Sequence, residues 1–420
     1  MSRLREGAPD FTRPYNLKVG PIALTLNAGL GIEFQDNINL TSKNTQSDLI
    51  LRPYLGMSGV WQVTKLNSLE MRTTLGYTKY LEHSDLDTEN LTIAPDSAIR
   101  LNIFIGDIKL VLHERFSLEE DPITEGGVSG VAKLGRFTNT VGATALWDMN
   151  DVIWSLGYDH YDFITTGNTA NTNGDADQNL SSLDHSTEQL STAFVFKLAP
   201  TTNVGIEGTA SLSQYRHNPN GDSTMFMIGP FLDMQLTRYT HLNFSGGYQL
   251  YNSDDDNNAP TPEVLSSSGV SGFSTVPRSS SHRSNGDGAG YYFSVALTHR
   301  LNRAYSDRLS VSRELQIGLL ADRTETFTIS YTGNWAMNRR MSLTSYLFYE
   351  NVHETGQVAG SYGTSQLPDY QRFGATISTS FQLTKKMNVG INYQFTKQLS
   401  DISTLDYTQN RVSLQFGYQF

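Results

Sequence analysis

The chain has 420 residues, a formal net charge of -11 and no cysteine. Only 38% of its residues are hydrophobic, yet it contains 21 Tyr, 20 Phe and 35 Gly. The acidic balance argues against nucleic-acid binding, and the lack of cysteine excludes disulfides and thiolate chemistry. No run of 18 or more apolar residues occurs, so no transmembrane helix is predicted. A β-barrel with a wet interior fits this composition, because each strand needs only one apolar face.

Residues 1–10 carry two arginines but no apolar stretch, so the sequence shows no signal peptide. We predict that residues 1–19 form an N-terminal periplasmic segment and that residues 20–420 form one barrel, after removal of an export signal.

The first strong element is predicted between about residues 21 and 37. Apolar side chains occupy every second position there, at Ile22, Leu24, Leu26, Ala28, Leu30, Ile32 and Phe34. A period of two residues is that of a β-strand, whereas a helix repeats every 3.6 residues.

The same alternation returns along the chain, clearly in residues 49–62, 69–78, 99–105, 108–117, 242–250, 327–335 and 389–396, and more weakly between them. The connections alternate in length. Short turns are predicted near 64–67, 106–107, 148–151, 199–202, 237–240, 302–305, 337–340 and 384–387, and long loops near 38–48, 82–98, 119–130, 167–186, 217–222, 253–288, 317–322, 354–367 and 400–408. Short turns at one rim and long loops at the other are typical of outer-membrane barrels. The sequence therefore predicts an all-β fold, a transmembrane antiparallel up-and-down β-barrel of about 18 strands.

The last strand, residues 411–420, ends the chain on an aromatic residue. Phe416, Tyr418 and Phe420 share its apolar face. This ending resembles the C-terminal signature of bacterial outer-membrane proteins, which implies recognition by the barrel-insertion machinery.

Aromatic side chains are concentrated near the predicted strand ends, where amphipathic rings favour the membrane interface. The predicted interface aromatics are Trp61, Trp147, Trp154, Trp335, Tyr77, Tyr158, Tyr251 and Tyr349.

Charged residues fall on the face opposite the apolar one. The predicted pore-lining residues are Arg52, Arg72, Arg100, Lys109, Arg115, Arg136, Arg300, Arg308, Arg372, Arg411, Glu33, Glu70 and Glu207. Rings of Arg and Lys concentrate anions in pores. The alternative is that these charges pair with one another and solvate or plug the lumen.

No motif indicates catalysis, a cofactor or a metal. The chain has no G-x-S-x-G and no paired-histidine motif, and the Asp254–Asp256 run lacks the spacing of a calcium loop, so a solvated charge run is the better interpretation. The longest loop, 253–288, is predicted either to fold into the pore or to cap the outer rim.

Two short motifs carry a family resemblance, Gly29-Leu-Gly-Ile-Glu-Phe-Gln-Asp-Asn37 and Leu51-Arg-Pro-Tyr-Leu-Gly56, together with the turns Leu236-Thr-Arg238 and Leu383-Thr-Lys385. The sequence resembles a family of outer-membrane β-barrel porins associated with exopolysaccharide export. That resemblance implies a Gram-negative outer-membrane location and a conduit role, and it supplies no catalytic residue.

The sequence therefore predicts a non-enzymatic outer-membrane pore for small polar solutes, or a conduit for polysaccharide export, with a basic lumen. The alternative is a structural or interaction barrel with a plugged lumen and long acidic extracellular loops. The expected partners are outer-membrane lipid, lipopolysaccharide, the insertion machinery and a polysaccharide or small anionic solute, without nucleic acid, metal or cofactor.

Overall fold

The computed structural model describes residues 15–120, 134–166, 180–216, 222–253, 288–316, 323–355 and 369–420. Eighteen long strands form its wall. The first nine are β2 (Ile22–Gln35), β3 (Asp48–Gln62), β4 (Ser68–Gly76), β7 (Ala98–Ile105), β8 (Ile108–Glu119), β9 (Arg136–Asp148), β10 (Val152–Thr165), β11 (His185–Ala199) and β12 (Thr202–Tyr215). The second nine are β13 (Ser223–Thr237), β14 (Thr240–Ser253), β15 (Gly288–His299), β16 (Tyr305–Gln316), β17 (Arg323–Ala336), β18 (Met341–Thr355), β19 (Tyr370–Gln382), β20 (Met387–Ser400) and β21 (Tyr407–Gln419).

Three short strands complete the sheet. β1 (Leu17–Val19) pairs with the start of β2, and β5 (Lys79–Tyr80) and β6 (Thr92–Ile93) extend the wall above β4. The proposed boundary at residue 19 stays a prediction, and residues 1–14 lie outside the described part. None of the helices in the described ranges is long and apolar enough to cross a membrane.

Every long strand is antiparallel to its neighbours, and the sheet closes because β2 pairs with β21 from Asn27–Gln419 to Gln35–Arg411. The predicted closed antiparallel barrel of eighteen strands is confirmed. Closure pairs the backbone groups of the first and last strands with each other, as a lipid-exposed sheet requires.

Alternation gives the sheet two chemically different faces. Cross-strand partners share a face, so Leu30 lies beside Phe416 and Phe34 beside Val412, all of them more than one-third exposed. We call this apolar side the outer face. Large exposed apolar side chains continue around the described wall, as they do in a barrel surrounded by acyl chains. The chain is an outer-membrane β-barrel, as the sequence predicts.

The short turns are held by their own side chains. The Oγ1 of Thr64 and Thr384 and the Oδ1 of Asn302 and Asn338 each accept backbone N–H bonds from the residues two and three positions later. Such local bonds favour tight turns over longer loops. Gly106 has a φ of +60°, which suits the two-residue turn between β7 and β8.

A cluster of polar side chains joins the first and last strands at the long-loop end. Asp36 accepts two hydrogen bonds from Asn410, from the backbone N at 2.7 Å and from Nδ2 at 2.6 Å. Gln409 Nε2 donates to the carbonyl oxygen of Asn37 at 2.6 Å, where both side chains are buried. These bonds fix the register of the closing strand pair.

We expect Asp36→Ala to lower the free energy of unfolding by roughly 1–3 kcal/mol, because it leaves two half-buried donors of Asn410 without acceptors. Urea unfolding of the folded barrel, followed by tryptophan fluorescence, measures this change. Asp85→Ala removes an exposed carboxylate from a nearby loop and is the matched control. Equal stability of the two variants would contradict the role of this cluster.

Most of the aromatic residues predicted at the interface lie on the outer face. Trp61, Trp147 and Trp335 lie on the outer face near short turns, with 36–44% of each side chain exposed, and Trp154 stacks on Phe194 at 5.9 Å. Tyr158 and Tyr349 have outer-face positions as well, and Tyr77 directly follows the end of β4. Phe416, Tyr418 and Phe420 are outer-face residues that are 41–52% exposed, and their role as an insertion signal stays a prediction.

The prediction for Tyr251 is wrong. Its side chain is fully buried, whereas the preceding Leu250 is 43% exposed on the outer face. Tyr251 therefore points to the inside of the barrel, because successive strand side chains alternate between faces.

Candidate pore wall

The polar side of the sheet is the concave inside of the barrel, and we call it the inner face. Gln249 on β14 donates a hydrogen bond through Nε2 to the carbonyl oxygen of Leu315 on β16, at 2.7 Å, although β15 lies between these strands. Tyr292 on β15 reaches Glu207 on β12 past two intervening strands, with a 3.4 Å hydrogen bond. Side chains from strands that are not neighbours approach each other on the concave side of a curved sheet and diverge on the convex side. These contacts therefore lie on the inside of the barrel.

The strand register places twelve of the thirteen predicted pore-lining residues on the inner face. They are Arg52, Arg72, Arg100, Lys109, Arg115, Arg136, Arg308, Arg372, Arg411, Glu33, Glu70 and Glu207. Arg300 follows the end of β15 and lies in the turn before β16, where its backbone N donates to the carbonyl oxygen of Tyr239. Whether these residues contact a permeating solute stays a prediction.

Several inner-face charges pair along the wall. Arg136 contacts Glu119 at 3.0 Å, Arg372 contacts Glu350 at 2.7 Å, and Arg52 lies 3.5 Å from Glu33. Each pair links neighbouring strands, so it neutralises charge locally without crossing the lumen. The sequence could not identify Glu119 and Glu350 as partners, because their pairing depends on strand register.

A second pair spans two strands over a glycine. His113 on β8 lies 2.7 Å from Asp159 on β10, and Gly142 of β9 lies between them. A Cβ atom at Gly142 would come within 2.0 Å of the Asp159 carboxylate and 2.7 Å of His113 Nε2. The glycine therefore makes room for this contact.

Glycines also provide room for Tyr292. Its ring lies across Gly247 and Gly229, which belong to the two strands between β15 and β12. A Cβ at Gly229 would come within 2.7 Å of the tyrosine hydroxyl. Glu207, Gly229, Gly247 and Tyr292 thus form one row across the inner face, a contact that sequence analysis missed.

Three inner-face cations on β7 and β8 have no carboxylate partner among the described residues: Arg100, Lys109 and Arg115. Arg100 and Arg115 are exposed to solvent, and Lys109 Nζ lies 5.6 Å from the ring of Phe104. Glu70 is opposite Arg100 in the register but accepts a hydrogen bond from Asn102. Nearby Arg72 contacts Asp96 at 2.7 Å. This sector is the basic part of the wall, and we call it the β7–β8 basic patch.

Two loops fold inward at the long-loop end. Ile38 and Leu86, from the loops after β2 and β5, pack with Ile50 and Tyr80 in a buried apolar cluster. Ile50 is an inner-face residue, so the cluster lies against the inside of β3. The loops therefore occupy part of the barrel mouth.

The buried carboxylate of Asp48 holds one of these loops. It accepts backbone N–H bonds from Leu81, Glu82 and His83 at 2.8–3.2 Å and contacts His83 Nδ1 at 2.9 Å. A carboxylate that collects several backbone donors fixes the chain that supplies them.

We expect Asp48→Ala to widen the mouth, because the loop at residues 81–83 loses the acceptor that holds it against the wall. Single-channel conductance in planar bilayers should rise relative to the parent protein. Glu82→Ala, which removes an exposed side chain from the same loop but keeps its backbone donor, should leave the conductance unchanged. Unchanged conductance in both variants would contradict the role of Asp48.

The described ranges contain no group of three or more His, Asp or Glu residues that could hold a metal ion. The Asp254–Asp256 run and the longest loop lie outside the described residues, as do most of residues 119–130 and 354–367.

Comparison with solved structures finds matches over almost the whole chain at very low sequence identity. The chain is similar to a BenF-like porin from Pseudomonas fluorescens Pf-5, with 9% identity, 96% of this chain and 100% of that chain covered, and a TM-score of 0.49. It is also similar to OccK2 (OpdF) from Pseudomonas aeruginosa, with 9% identity, coverages of 95% and 98%, and a TM-score of 0.48. For OpdK with vanillate, from the same organism, the identity is 7%, the coverages are 94% and 99%, and the TM-score is 0.48.

No protein-family model matches the chain, and no curated protein sequence matches it significantly. The predicted resemblance to the exopolysaccharide-export family is therefore not supported by these comparisons.

Proposed function

We propose that this barrel is a passive outer-membrane channel for small polar solutes and that it prefers anions. The observation that carries this proposal is the inner face itself, which is polar and lined with charges while the outer face is apolar. A wall of this kind favours water and dissolved solutes inside the barrel.

The charge arrangement supports a preference for anions. Several inner-face carboxylates are paired with arginines, so their charge is locally neutralised, whereas the β7–β8 basic patch keeps three cations available. Each such cation contributes on the order of 1 kcal/mol to the attraction of an anion about 4 Å away at the dielectric of bulk water, which is the lower limit for a water-filled pore. Salt reduces this contribution beyond about 8–10 Å.

Single-channel recording in planar bilayers tests the proposal. The folded barrel should conduct, and its reversal potential in a KCl gradient should have the sign of chloride preference. Absence of current from folded protein would contradict the channel proposal, and a potential of the opposite sign would contradict anion preference alone.

Polysaccharide export and a purely structural role can each be tested separately. Polysaccharide export remains an alternative to small-solute passage, although no observation on the described residues favours it. Swelling of proteoliposomes in sugars of increasing length separates them, since a small-solute channel should exclude oligosaccharides. A structural barrel with a plugged lumen would show neither swelling nor current.

A further inference from the structure

The strongest unassigned feature is a cavity at the short-turn rim. Its volume is about 390 Å³, and it lies between the turn that joins β17 to β18 and the turn that joins β19 to β20. Arg339, Arg340, Lys385 and Lys386 all line it, and no carboxylate does. We call this cavity the basic cradle.

The two turns are fixed against each other. The backbone N of Gln382 donates to the carbonyl oxygen of Arg340 at 2.8 Å. The backbone N of Gln419 donates to the carbonyl oxygen of Lys386, also at 2.8 Å. Within the turns, Asn338 and Thr384 hold the backbone that leads into the strands. The backbone positions of the four cations are therefore set before any ligand arrives.

The cradle opens toward the pore and not only toward the membrane. Ser342, Ser380 and Asn388 line it and have inner-face positions in the register. Their hydroxyl and amide groups add neutral hydrogen-bond donors beside the cations. Met341 and Met387, at the starts of their strands, line it as well.

The four cations have no anionic partner among the described residues. Like charges gathered in one cavity repel each other, and a ligand with at least two negative charges relieves that repulsion. A volume near 400 Å³ is within the range of pockets for small molecules.

We propose that the basic cradle binds a small, multiply charged anion, such as a polyphosphate or polycarboxylate, at the short-turn mouth of the pore. This inference rests on the proposed channel function, because it gives a passing anion its last binding site on the periplasmic side. Short turns face the periplasm in outer-membrane barrels. The occupant is a soluble anion, since inner-face side chains form part of the lining.

Equilibrium binding to the detergent-solubilised folded barrel tests the inference without requiring conduction. Isothermal titration calorimetry with inorganic pyrophosphate should show saturable binding that weakens at least tenfold in the variant Arg340→Gln/Lys386→Gln. The control Arg238→Gln/Arg303→Gln removes two exposed cations from other short turns, outside the cradle, and should bind like the parent. A barrel that conducts but does not bind pyrophosphate overturns this inference alone. A barrel that binds it but carries no current overturns the channel proposal alone.

A second arm separates a soluble anion from a lipid headgroup. In nanodiscs of phosphatidylcholine, pyrophosphate affinity should equal that in nanodiscs containing phosphatidylglycerol. If phosphatidylglycerol lowers the affinity of the parent barrel for pyrophosphate but does not lower that of the Arg340→Gln/Lys386→Gln variant, the lipid headgroup occupies the site. That result would overturn the inference. Equal loss of affinity in the cradle and control variants would show a general charge effect and would also overturn it.

Discussion

The double variant Arg100→Glu/Arg115→Glu is expected to reverse the ion preference of the channel. Both arginines are exposed on the inner face and have no carboxylate partner in the described part of the chain. Reversal changes the local charge by four units, so the wall that attracted anions now repels them. Each unit of wall charge changes the interaction energy with a permeating ion by on the order of 1 kcal/mol, so the permeability ratio of chloride to potassium should fall by tenfold or more. The reversal potential in a KCl gradient should change sign.

One control isolates the effect of position. Lys397→Glu reverses a charge on the outer face of β20 and should leave the reversal potential unchanged. If the double variant keeps the parent's reversal potential, the β7–β8 basic patch does not face the permeation path.

The substitution Gly247→Ala is expected to destabilise the barrel strongly. A Cβ at this position would come within 2.1 Å of the Ile228 carbonyl oxygen and 2.5 Å of the Gly229 Cα. Both are backbone atoms, so relief requires β13 and β14 to move apart, and the Tyr292–Glu207 contact above them is lost. We expect a loss of about 3 kcal/mol or more in the free energy of unfolding, measured by urea titration in lipid vesicles.

Gly208→Ala is the matched control. Its added Cβ would meet the Met227 carbonyl oxygen at 3.5 Å, an ordinary contact distance. Gly208 lies on β12, which is separated from β14 by β13. The control should unfold within about 1 kcal/mol of the parent. Equal stability of the two alanine variants would mean that close strand approach at Gly247 does not limit folding.

The fold could be predicted from the sequence because each barrel strand carries its own two-residue pattern. The alternation in residues 22–34 and the short turn at Gly106 are local signals, and they depend on no distant contact. The strand number follows from counting such signals. The inner-face position of Arg115 follows from the same parity.

The partners within the wall could not be predicted in this way. His113 meets Asp159, and Tyr292 meets Glu207, only because the register brings strands far apart in sequence together. The position of Tyr251 near a strand end predicts an interface residue, whereas its parity places its side chain inside the barrel, where it is buried. The inward packing of Ile38 and Leu86 depends on loop conformation, which has no periodic signal.

Thiol labelling tests the central claim most directly, because the natural chain contains no cysteine and every introduced thiol is unique. Ser330 lies on the inner face of β17 beside Ser310, whereas its neighbour Ile329 is on the outer face beside Val311. In proteoliposomes, Ser330→Cys should react with a water-soluble, membrane-impermeant thiosulfonate, and Ile329→Cys should be protected by lipid. Reaction of the cysteine at 329 but not of that at 330 would contradict the assignment of the two faces, and no reaction at 330 would contradict a water-filled lumen.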